Sequence, residues 1–460
     1  MTFVIRDTTI VTGDPARTVL YNAAIAIEDD HIAAVGPSQE VCMAFPDAEA
    51  LDGRGKVVFP GLVNCHAHLV LTHGRGLLDD FGFPARLRFP VSLRGFLSSQ
   101  EEVEAIALLG AVESIRSGAT TIVEISSRVA TYAPALARTG LRWVLAENIC
   151  DVVDEMAWYG GVYQYSPDKM EAALQASVDL LEKWHGKERG RVTCFLAPWA
   201  PEMCSPNLLR RVREIAETYN TGYTIHLAQS TLEVEVVKNI RGVRPAHYLF
   251  HHDFLGPRLV AAHCRYLDDT EVSLMGATRS GVSHNAAIAA RRGVLAPISK
   301  LQAAGCHVGL GSDNFTHDMV EVLRLALWGA RMERRDEVNP QPEDALEWGT
   351  GGASRVLGME KAIGSLEVGK KADLFIVDSK RSHLVPTLRI VSAFVHNGHP
   401  SDIEAVMVNG RWLMKGGKVL TVDESEVVAR AEEVAHRAWK RALERFPSVP
   451  FPIRLPPGPL

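Results

Sequence analysis

Residues 57–69 read VVFPGLVNCHAHL, an apolar run that breaks at Pro60-Gly61 and then ends in two histidines. In a β-strand the side chains at positions i and i+2 point to the same face. If residues 62–69 are extended, His66 and His68 therefore lie side by side. Two neutral imidazoles presented together form half of a metal site, although a bare His-x-His is short and also occurs as a structural pair. The remaining ligands have to come from elsewhere in the chain.

Length and composition exclude several classes of protein. The chain has 460 residues, of which 47% are hydrophobic and 23% are charged, with a formal net charge of −6. The scattered lysines and arginines give no footprint for nucleic acid or an anionic membrane, and no apolar run reaches the roughly 20 residues that span a bilayer. The N-terminus does not resemble a signal peptide, and the 7 cysteines without C-x-x-C spacing indicate buried free thiols. We expect a cytoplasmic protein that binds neither nucleic acid nor membranes.

Two kinds of secondary-structure pattern occur along the chain. Residues 1–58 and 360–423 contain short strand patterns separated by turns that are rich in Asp and Gly. Residues 59–359 alternate apolar runs with helical patterns, such as a predicted helix at 99–118 that is followed by the strand ATTIVEI. This alternation predicts an α/β fold with a (β/α)8 barrel of TIM type, which needs roughly 250 residues. We expect the terminal segments to pair into a small β-sandwich beside the barrel.

The last segment, residues 424–460, combines a charged amphipathic helix pattern with a Pro-rich tail, PSVPFPIRLPPGPL. Proline disfavours both helix and sheet, so the tail is not expected to form regular structure. Such an arm cannot bury itself within a barrel, and we expect it to pack on a neighbouring subunit. The sequence therefore predicts a homo-oligomer, either a dimer or a tetramer.

Polar residues at the ends of apolar runs are informative, because barrel enzymes place their chemistry at the C-terminal ends of the strands. Besides the His-x-His strand, four predicted strands end in residues that can bind metal, namely His226, His263, His284 and Asp313. Each residue alone is often structural, but together they indicate one shared site. Three histidines and one carboxylate suit one divalent transition metal, with Zn²⁺ expected first and Fe²⁺ as the alternative.

Eight motifs follow one another along the chain: PGLVNCHAHL, RGLLDD, SGATTIVE, HLAQS, AAHCRYLDD, HNAAIA, GLGSDN and GSLEVGKKADLFIVD. In this order they resemble the amidohydrolase superfamily, and in particular its aminohydrolase branch. That branch includes S-adenosylhomocysteine, guanine and cytosine deaminases and the chlorotriazine hydrolases. The resemblance covers residues 3 to about 423.

The resemblance implies a role for each matching position. His66, His68, His226 and Asp313 would ligate one metal, and His263 would hydrogen-bond the reacting water or the substrate. Asp313, beside the water, also suits the role of general base. The motifs HNAAIA and GLGSDN add His284 and Asn314 to the expected substrate-binding residues.

Several positions depart from the family pattern. Branch deaminases usually carry a glutamate three residues after the fifth-strand histidine, where it shuttles protons. Here Gln229 occupies that position; it can form hydrogen bonds as part of the expected catalytic set, but cannot shuttle a proton. Trp199 stands where the family often has histidine, and Glu202 replaces a commonly aromatic residue. Trp199, Glu202 and His73 are expected substrate-binding residues, although Glu202 and His73 also have ordinary structural interpretations.

Two further features bear on the substrate and the metal count. Arg291 and Arg292 lie where the family often has a Ser-Asn pair, which fits either an anionic or carbonyl-bearing substrate or a solvated surface. His247, His251 and His252 have helical spacing but lie away from the strand ends, so we do not expect a metal there. Two-metal dihydroorotases and hydantoinases use a carboxylated lysine at the fourth strand, and RVTCFLAPWAPEMCS contains no lysine. We therefore predict one metal.

These observations predict a metal-dependent hydrolase that acts on carbon–nitrogen bonds other than peptide bonds. It would attack an sp² carbon bearing nitrogen in a small N-heterocycle, as an aminohydrolase (deaminase) or by a related hydrolytic displacement. One alternative, favoured by Gln229, is an amide, urea or carbamate hydrolase that resembles the phenylurea hydrolases. Another is a catalytically silent metal-binding scaffold, which the complete set of site residues disfavours.

Overall fold

Strands from the N-terminal part of the chain form one side of a mixed sheet. The computed structural model describes residues 2–83, 88–157, 161–456 and 458–459. The N-terminal elements are β1 (Thr2–Val11), β2 (Val19–Glu28), β3 (His31–Pro37), α1 (Ser38–Ala44), β4 (Glu49–Asp52) and β5 (Lys56–Pro60). These strands confirm the short strands predicted for this segment, whereas the sequence pattern did not indicate α1.

Eight strands then close into a parallel barrel, which confirms the predicted fold class. They are β6 (Leu62–Ala67), β7 (Ala119–Ser126), β8 (Arg142–Ile149), β9 (Val192–Pro198), β10 (Tyr223–Leu227), β11 (Leu259–His263), β12 (Gly281–His284) and β13 (His307–Leu310). The strands are almost wholly buried, because side chains fill the barrel and helices cover it. This burial explains why they appear in the sequence as nearly continuous apolar runs.

Helices follow the strands and return the chain to the opposite end of the barrel. They are α2 (Gln100–Arg116), α3 (Val129–Arg138), α4 (Pro167–Trp184), α5 (Lys187–Gly190), α6 (Pro206–Thr218), α7 (Thr231–Arg241), α8 (Pro245–His251), α9 (Asp269–Ala277), α10 (Ala286–Arg291), α11 (Ile298–Ala304), α12 (Met319–Arg334), α13 (Pro342–Gly349) and α14 (Gly351–Val356). The Ser99 side chain accepts a hydrogen bond from the N–H of Glu102 and so caps α2. The predicted start of that helix is confirmed.

The C-terminal part completes the sheet and adds the last helix. Its elements are β14 (Leu374–Asp378), α15 (Ile390–Asn397), β15 (Ile403–Val408), β16 (Arg411–Lys415), β17 (Lys418–Val419) and α16 (Glu424–Arg445). The sheet order is β17-β16-β15-β14-β5-β1-β2-β3, with β4 paired to β1. Because β14 pairs antiparallel with β5, the two ends of the chain share one sheet, as predicted. The domain boundaries at 58/59, 359/360 and 423/424 stay a prediction.

Buried contacts fix the sheet against the barrel. The Arg142 guanidinium, at the start of β8, donates two hydrogen bonds to Asp373, at 2.9 and 3.1 Å. The same carboxylate accepts the N–H of Asn409 in the sheet at 2.8 Å. Within the sheet, Phe59 of β5 stacks on Phe375 of β14, with ring centroids 5.1 Å apart, and both rings belong to the same buried cluster as Leu62 of the barrel. The barrel and the sheet therefore share a packed and hydrogen-bonded boundary.

The Pro-rich tail packs on its own chain. The Phe451 ring stacks on Trp439 of α16 at a centroid distance of 5.3 Å and also contacts Phe89. The expectation that the tail packs on a neighbouring subunit therefore has no support here, and homo-oligomerisation stays a prediction. Pro457 and Leu460 of the tail lie outside the described residues.

Two other expectations concern the environment of the chain. All 7 cysteines are free, and 5 of them are buried, as the spacing indicated. In the part of the chain that the structure describes, no helix combines the length and apolarity needed to cross a membrane.

Trp439 is the residue that best tests how α16 is attached. Its side chain is 2% exposed, and its indole N–H donates to the backbone carbonyl of His73, 2.7 Å away. We expect Trp439→Ala to destabilise the protein by about 3–5 kcal/mol, because a large ring and a buried hydrogen bond are lost together. Val428→Ala, on the same helix but 48% exposed, should change stability by less than about 0.5 kcal/mol. Chemical denaturation of the metal-loaded protein measures both, and equal effects would show that α16 is not anchored through Trp439.

Candidate metal centre and active site

Four side chains from three separate parts of the barrel converge at its C-terminal mouth. His66 and His68 lie at the end of β6 and just after it, His226 lies in β10, and Asp313 follows β13. The carboxylate Oδ1 of Asp313 is 3.7 Å from His66 Nε2 and 3.6 Å from His68 Nε2. The Nε2 atoms of His68 and His226 are 3.2 Å apart. The structure thus brings together the four residues that the sequence assigned to one metal.

These separations fit a metal ion. Zinc bound tetrahedrally at about 2.1 Å places neighbouring ligand atoms about 3.4 Å apart. Both ring nitrogens of His66 are buried without a hydrogen-bond partner, a costly arrangement unless a ligand satisfies one of them. The donor set of nitrogen and carboxylate oxygen is also one that divalent transition metals accept. The residues present therefore fit a divalent metal.

Backbone carbonyls orient two of the histidines. Nδ1 of His68 lies 2.7 Å from the carbonyl of Ile125, and Nδ1 of His226 lies 2.6 Å from the carbonyl of Trp199. A carbonyl only accepts hydrogen bonds, so Nδ1 carries the proton in both rings. Their Nε2 lone pairs then face the common site. Such partners fix the tautomer and orientation of histidines that bind metals.

His263 has the opposite tautomer. Its Nδ1 lies 3.2 Å from the amide nitrogen of Asn285, which can only donate, while the amide oxygen of Asn285 accepts from the Ser283 hydroxyl. The proton of His263 must therefore lie on Nε2, which is 3.9 Å from Oδ2 of Asp313. Burial lowers the pKa of His263 well below its ordinary value, so the ring is neutral. His263 is thus a hydrogen-bond donor toward the site, whereas His68 and His226 present lone pairs.

The backbone places Asp313 in a strained conformation. Its φ angle is +67°, a left-handed value that costs free energy in residues other than glycine. Its N–H donates to the carbonyl of His66, and the N–H of His68 donates to its own carbonyl, both at 2.9 Å. These two bonds hold the carboxylate against the histidines in spite of the strain.

A buried chain of hydrogen bonds supports this segment. Asn64 donates to Ser312, Ser312 donates to Nδ1 of His317, and Nε2 of His317 donates to Thr72, at 2.8, 3.0 and 3.0 Å. The direction follows from Thr72, whose own hydroxyl donates to the carbonyl of Leu69. Sequence analysis missed these residues. Only Asn64 gave a signal, because it precedes His66 by two positions on the same strand face.

A cavity of about 230 Å³ opens above the converging side chains. Its described wall includes most of the predicted site, namely His68, Trp199, Glu202, His226, Gln229, His263, Asp313 and Asn314. The wall also contains apolar side chains such as Val70, Leu71 and Ile288. Residues 84–87 and 158–160, in the loops after the first and third barrel strands, lie outside the described residues. The cavity suits a small ring compound.

Two of the predicted substrate-binding residues lie behind the wall. His73 is 4% exposed, and its Nε2 hydrogen-bonds the carbonyl of Leu93 at 3.0 Å. His284 is 1% exposed, and burial lowers its pKa to about 4. Neither belongs to the described cavity wall, so their roles toward substrate stay predictions.

Glu202 is a buried carboxyl group that faces the cavity. It is 4% exposed, its Oε2 has no hydrogen-bond partner, and burial raises its pKa to about 7. Burial and the nearby Glu202 also raise the pKa of Glu233. Both oxygens of Glu233, however, accept backbone N–H bonds, from Ala228 at 2.6 Å and from Gln229 at 2.8 Å. Glu233 is therefore the better place for the negative charge, and the proton resides on Glu202.

Other histidine clusters do not compete with this site. Among the described residues, His247, His251 and His252 form no group with metal-ligand spacing. His383 and His399 approach Asp402 closely enough to bind a metal. The Asp402 carboxylate, however, already accepts His383 Nε2–H at 2.7 Å and the His399 backbone N–H at 2.8 Å. That cluster is therefore satisfied by its own hydrogen bonds.

Comparison with known proteins gives one family and close relatives of similar length. A sequence profile described as the amidohydrolase family matches residues 57–413. A 5-methylthioadenosine/S-adenosylhomocysteine deaminase from Moorella thermoacetica is 32% identical over 440 residues, which cover 94% of this chain and 99% of the relative. A 5'-deoxyadenosine deaminase from Methanobrevibacter smithii is 31% identical over 441 residues, covering 94% of this chain and 97% of the relative.

Solved structures share the fold. A zinc-bound adenosine deaminase from Xanthomonas campestris superposes with a TM-score of 0.86 at 23% identity, covering 95% of this chain and 98% of that one. An atrazine chlorohydrolase from Arthrobacter aurescens, also a zinc complex, has a TM-score of 0.86 at 22% identity, with coverage of 94% and 100%.

Replacement of His226 tests the metal centre. We expect His226→Ala to lower the metal content at least about tenfold, because one nitrogen ligand and its orienting carbonyl contact are lost. His251→Ala, at an exposed position on α8, should keep the metal content of the parent protein, which we expect to be one equivalent per chain. Elemental analysis of purified proteins measures both. Equal losses, or two tightly held equivalents in the parent, would contradict this assignment.

Proposed function

Because this chain belongs to the amidohydrolase family, we propose that it is an aminohydrolase that attacks an sp² carbon bearing nitrogen in a small N-heterocycle. The observation that carries the proposal is the convergence of His66, His68, His226 and Asp313 beside His263 at the base of one cavity. The names of the relatives, which are deaminases of adenine-containing compounds, support hydrolytic removal of an amino group. The fold neighbours, a deaminase and a chlorohydrolase, act on different leaving groups of ring compounds.

The three ligand histidines and Oδ1 of Asp313 would hold the metal. Zinc is the expected ion, because it accepts this donor set and because both solved neighbours contain it. When bound, the metal would lower the pKa of a water molecule toward about 7 and so supply the nucleophile.

Asp313 would accept a proton during the reaction, and His263 would donate a hydrogen bond. Oδ1 of Asp313 faces His66 and His68, which leaves Oδ2, on the side of His263, to accept the proton of the attacking water. The Nε2–H of His263 points at the same region and would donate to the oxygen on which negative charge develops. The fixed tautomer of His263 means that this donor requires no rearrangement.

Glu202 would supply the ring proton. Hydrolysis of an aminated heterocycle is easier when a ring nitrogen is protonated as the water attacks, and Gln229 cannot provide that proton. Glu202 lines the same cavity, has a free carboxyl oxygen and has a pKa raised by burial to about 7. We assign it the role that a glutamate at position 229 would otherwise have.

A second candidate function follows from Gln229. Ureas and carbamates have no ring nitrogen to protonate, so the missing glutamate would cost nothing with such substrates. In that case Asp313 alone would pass its proton to the leaving amine. The scaffold alternative gains no support, because the ligands, Asp313 and His263 are all in place.

Assembly as a dimer or tetramer remains part of the proposal. Trp328 and Met332 lie one turn apart on α12, and they are 41% and 68% exposed. Two large apolar side chains on one helix face support a contact with another subunit. Light scattering of the parent and of Met332→Lys tests it, and a monomeric parent would remove the assembly.

A substrate screen tests the leading function. We expect the zinc-loaded protein to release ammonia from at least one aminated pyrimidine, purine or triazine. Amine release from phenylureas or carbamates, with no activity on the heterocycles, would favour the second candidate. Metal removal by chelation should abolish the activity, and zinc should restore it. If the protein held no metal and turned over none of these compounds, the result would favour the catalytically silent scaffold.

Replacement of Glu202 tests the proton donor. We expect Glu202→Gln to lower kcat on the heterocycle about 10²–10⁴-fold without loss of metal, because the acid is removed. In the parent, kcat should fall as the pH rises through about 7, since the raised pKa makes the protonated form the active one below that pH. Adding Gln229→Glu to Glu202→Gln should restore part of the rate. An unchanged rate in Glu202→Gln would place the proton transfer on Asp313 and His263 alone.

A further inference from the structure

Two arginines of the cavity wall form no ion pair with any of the described residues. Arg265 follows β11 and is 8% exposed, and Arg292 directly follows α10 and is half-buried. Both line the cavity, and the Nε atom of each is buried without a hydrogen-bond partner. A third wall arginine, Arg94, also has a buried Nε without a partner among the described residues, but its guanidinium donates to the carbonyl of Leu97 and lies near Glu147.

The carboxylates nearby are used elsewhere. Among the described residues, Arg265 makes no ion pair and no hydrogen bond, and Arg292 reaches only the backbone carbonyl of Asp79, at 3.1 Å. The Asp79 carboxylate is taken by Arg291, at 2.6 Å. Burial raises the pKa of Asp313, and the nearby His68, Arg265 and Arg292 oppose that rise. The carboxylate oxygens of Asp313, however, face His68 and His263.

The charges of the site therefore do not balance. With a divalent ion in place, the ion, Arg265 and Arg292 carry four positive charges, whereas Asp313 and Glu233 contribute two negative charges and Glu202 holds a proton. Buried guanidinium groups without a counter-ion are costly, because desolvation is not repaid by pairing. A cavity of this kind is complementary to a negatively charged ligand. Arg265 follows His263 by two residues, which puts the excess charge beside the reacting centre.

We propose that the substrate carries a planar anionic oxygen group, either a ring carboxylate or the deprotonated oxo group of the heterocycle, which binds Arg265 and Arg292 next to the reacting carbon. This inference rests on the proposed function and narrows its substrate class. The planar fork of a guanidinium matches two oxygens or an oxygen and a ring nitrogen. Uncharged nucleosides such as 5'-deoxyadenosine lack this anionic group. The proposed substrate of this chain therefore differs in charge from the compound named for the Methanobrevibacter smithii relative.

Calorimetric binding of matched ligand pairs to the zinc-loaded full chain tests the proposal. One pair is pyrimidine-4-carboxylate and the neutral pyrimidine-4-carboxamide, and the other is barbiturate, which is anionic at neutral pH, and neutral uracil. We expect the anionic member of at least one pair to bind at least about tenfold more tightly. The carboxylate pair reports a ring carboxylate, and the barbiturate pair reports a deprotonated oxo group.

Variants separate the arginines from the metal as the anion site. Arg265→Met and Arg292→Met should each lose most of the preference, while Arg291→Met, whose arginine pairs with Asp79 outside the cavity wall, should keep it. Metal content reports whether each variant is folded, and the neutral Arg265→Gln is used if Arg265→Met loses its metal. A preference that survives in both cavity variants would mean that the anion binds the metal, and equal binding within both pairs by the parent would overturn the proposal. Because binding needs no turnover, a failed substrate screen leaves this test intact.

Discussion

The hydrogen bonds that join Asp313 to the strand of His66 and His68 close the barrel and build its site in one step. The N–H of Asp313 donates to His66 and its carbonyl accepts from His68, so the segment after the last barrel strand is fixed beside the first. The strained φ angle of Asp313 persists because both bonds hold it. A metal held by the four residues would therefore connect β6, β10 and the segment after β13.

The other site residues are specified by their hydrogen-bond partners. Carbonyl groups at Ile125 and Trp199 leave His68 and His226 with lone pairs toward the candidate metal site, whereas the amide of Asn285 leaves His263 with a proton on Nε2, toward Asp313. Histidines thus present either a lone pair or a proton to the site, depending on whether their other ring nitrogen contacts a hydrogen-bond acceptor or a donor. The same rule applies to Glu202 and Glu233, since only Glu233 is saturated by backbone N–H groups.

The chemistry of the cavity follows from the balance of charge. Glu202 holds its proton because it is buried beside a second carboxyl group, Glu233, which is the better place for the negative charge. This carboxyl group and the two arginines, Arg265 and Arg292, line the same cavity. As the proposed proton donor, Glu202 would allow a chain with glutamine at position 229 to hydrolyse a ring compound.

The sequence alone determined the barrel, because the barrel depends on local periodicity, and the resemblance to the amidohydrolase superfamily singled out the expected ligands among the strand-end residues. Apolar runs that end in His66, His68, His226 and Asp313 already place those side chains at one mouth once the strands are parallel. It also determined the pairing of the terminal strands, but not α1 and not the tail, whose Phe451 packs on Trp439 of the same chain. Tertiary structure alone decided the tautomer of His263, the place of His73 and His284 behind the cavity wall, and the unpaired state of Arg265. These depend on which atoms meet across distant segments, and no spacing along the chain encodes such contacts.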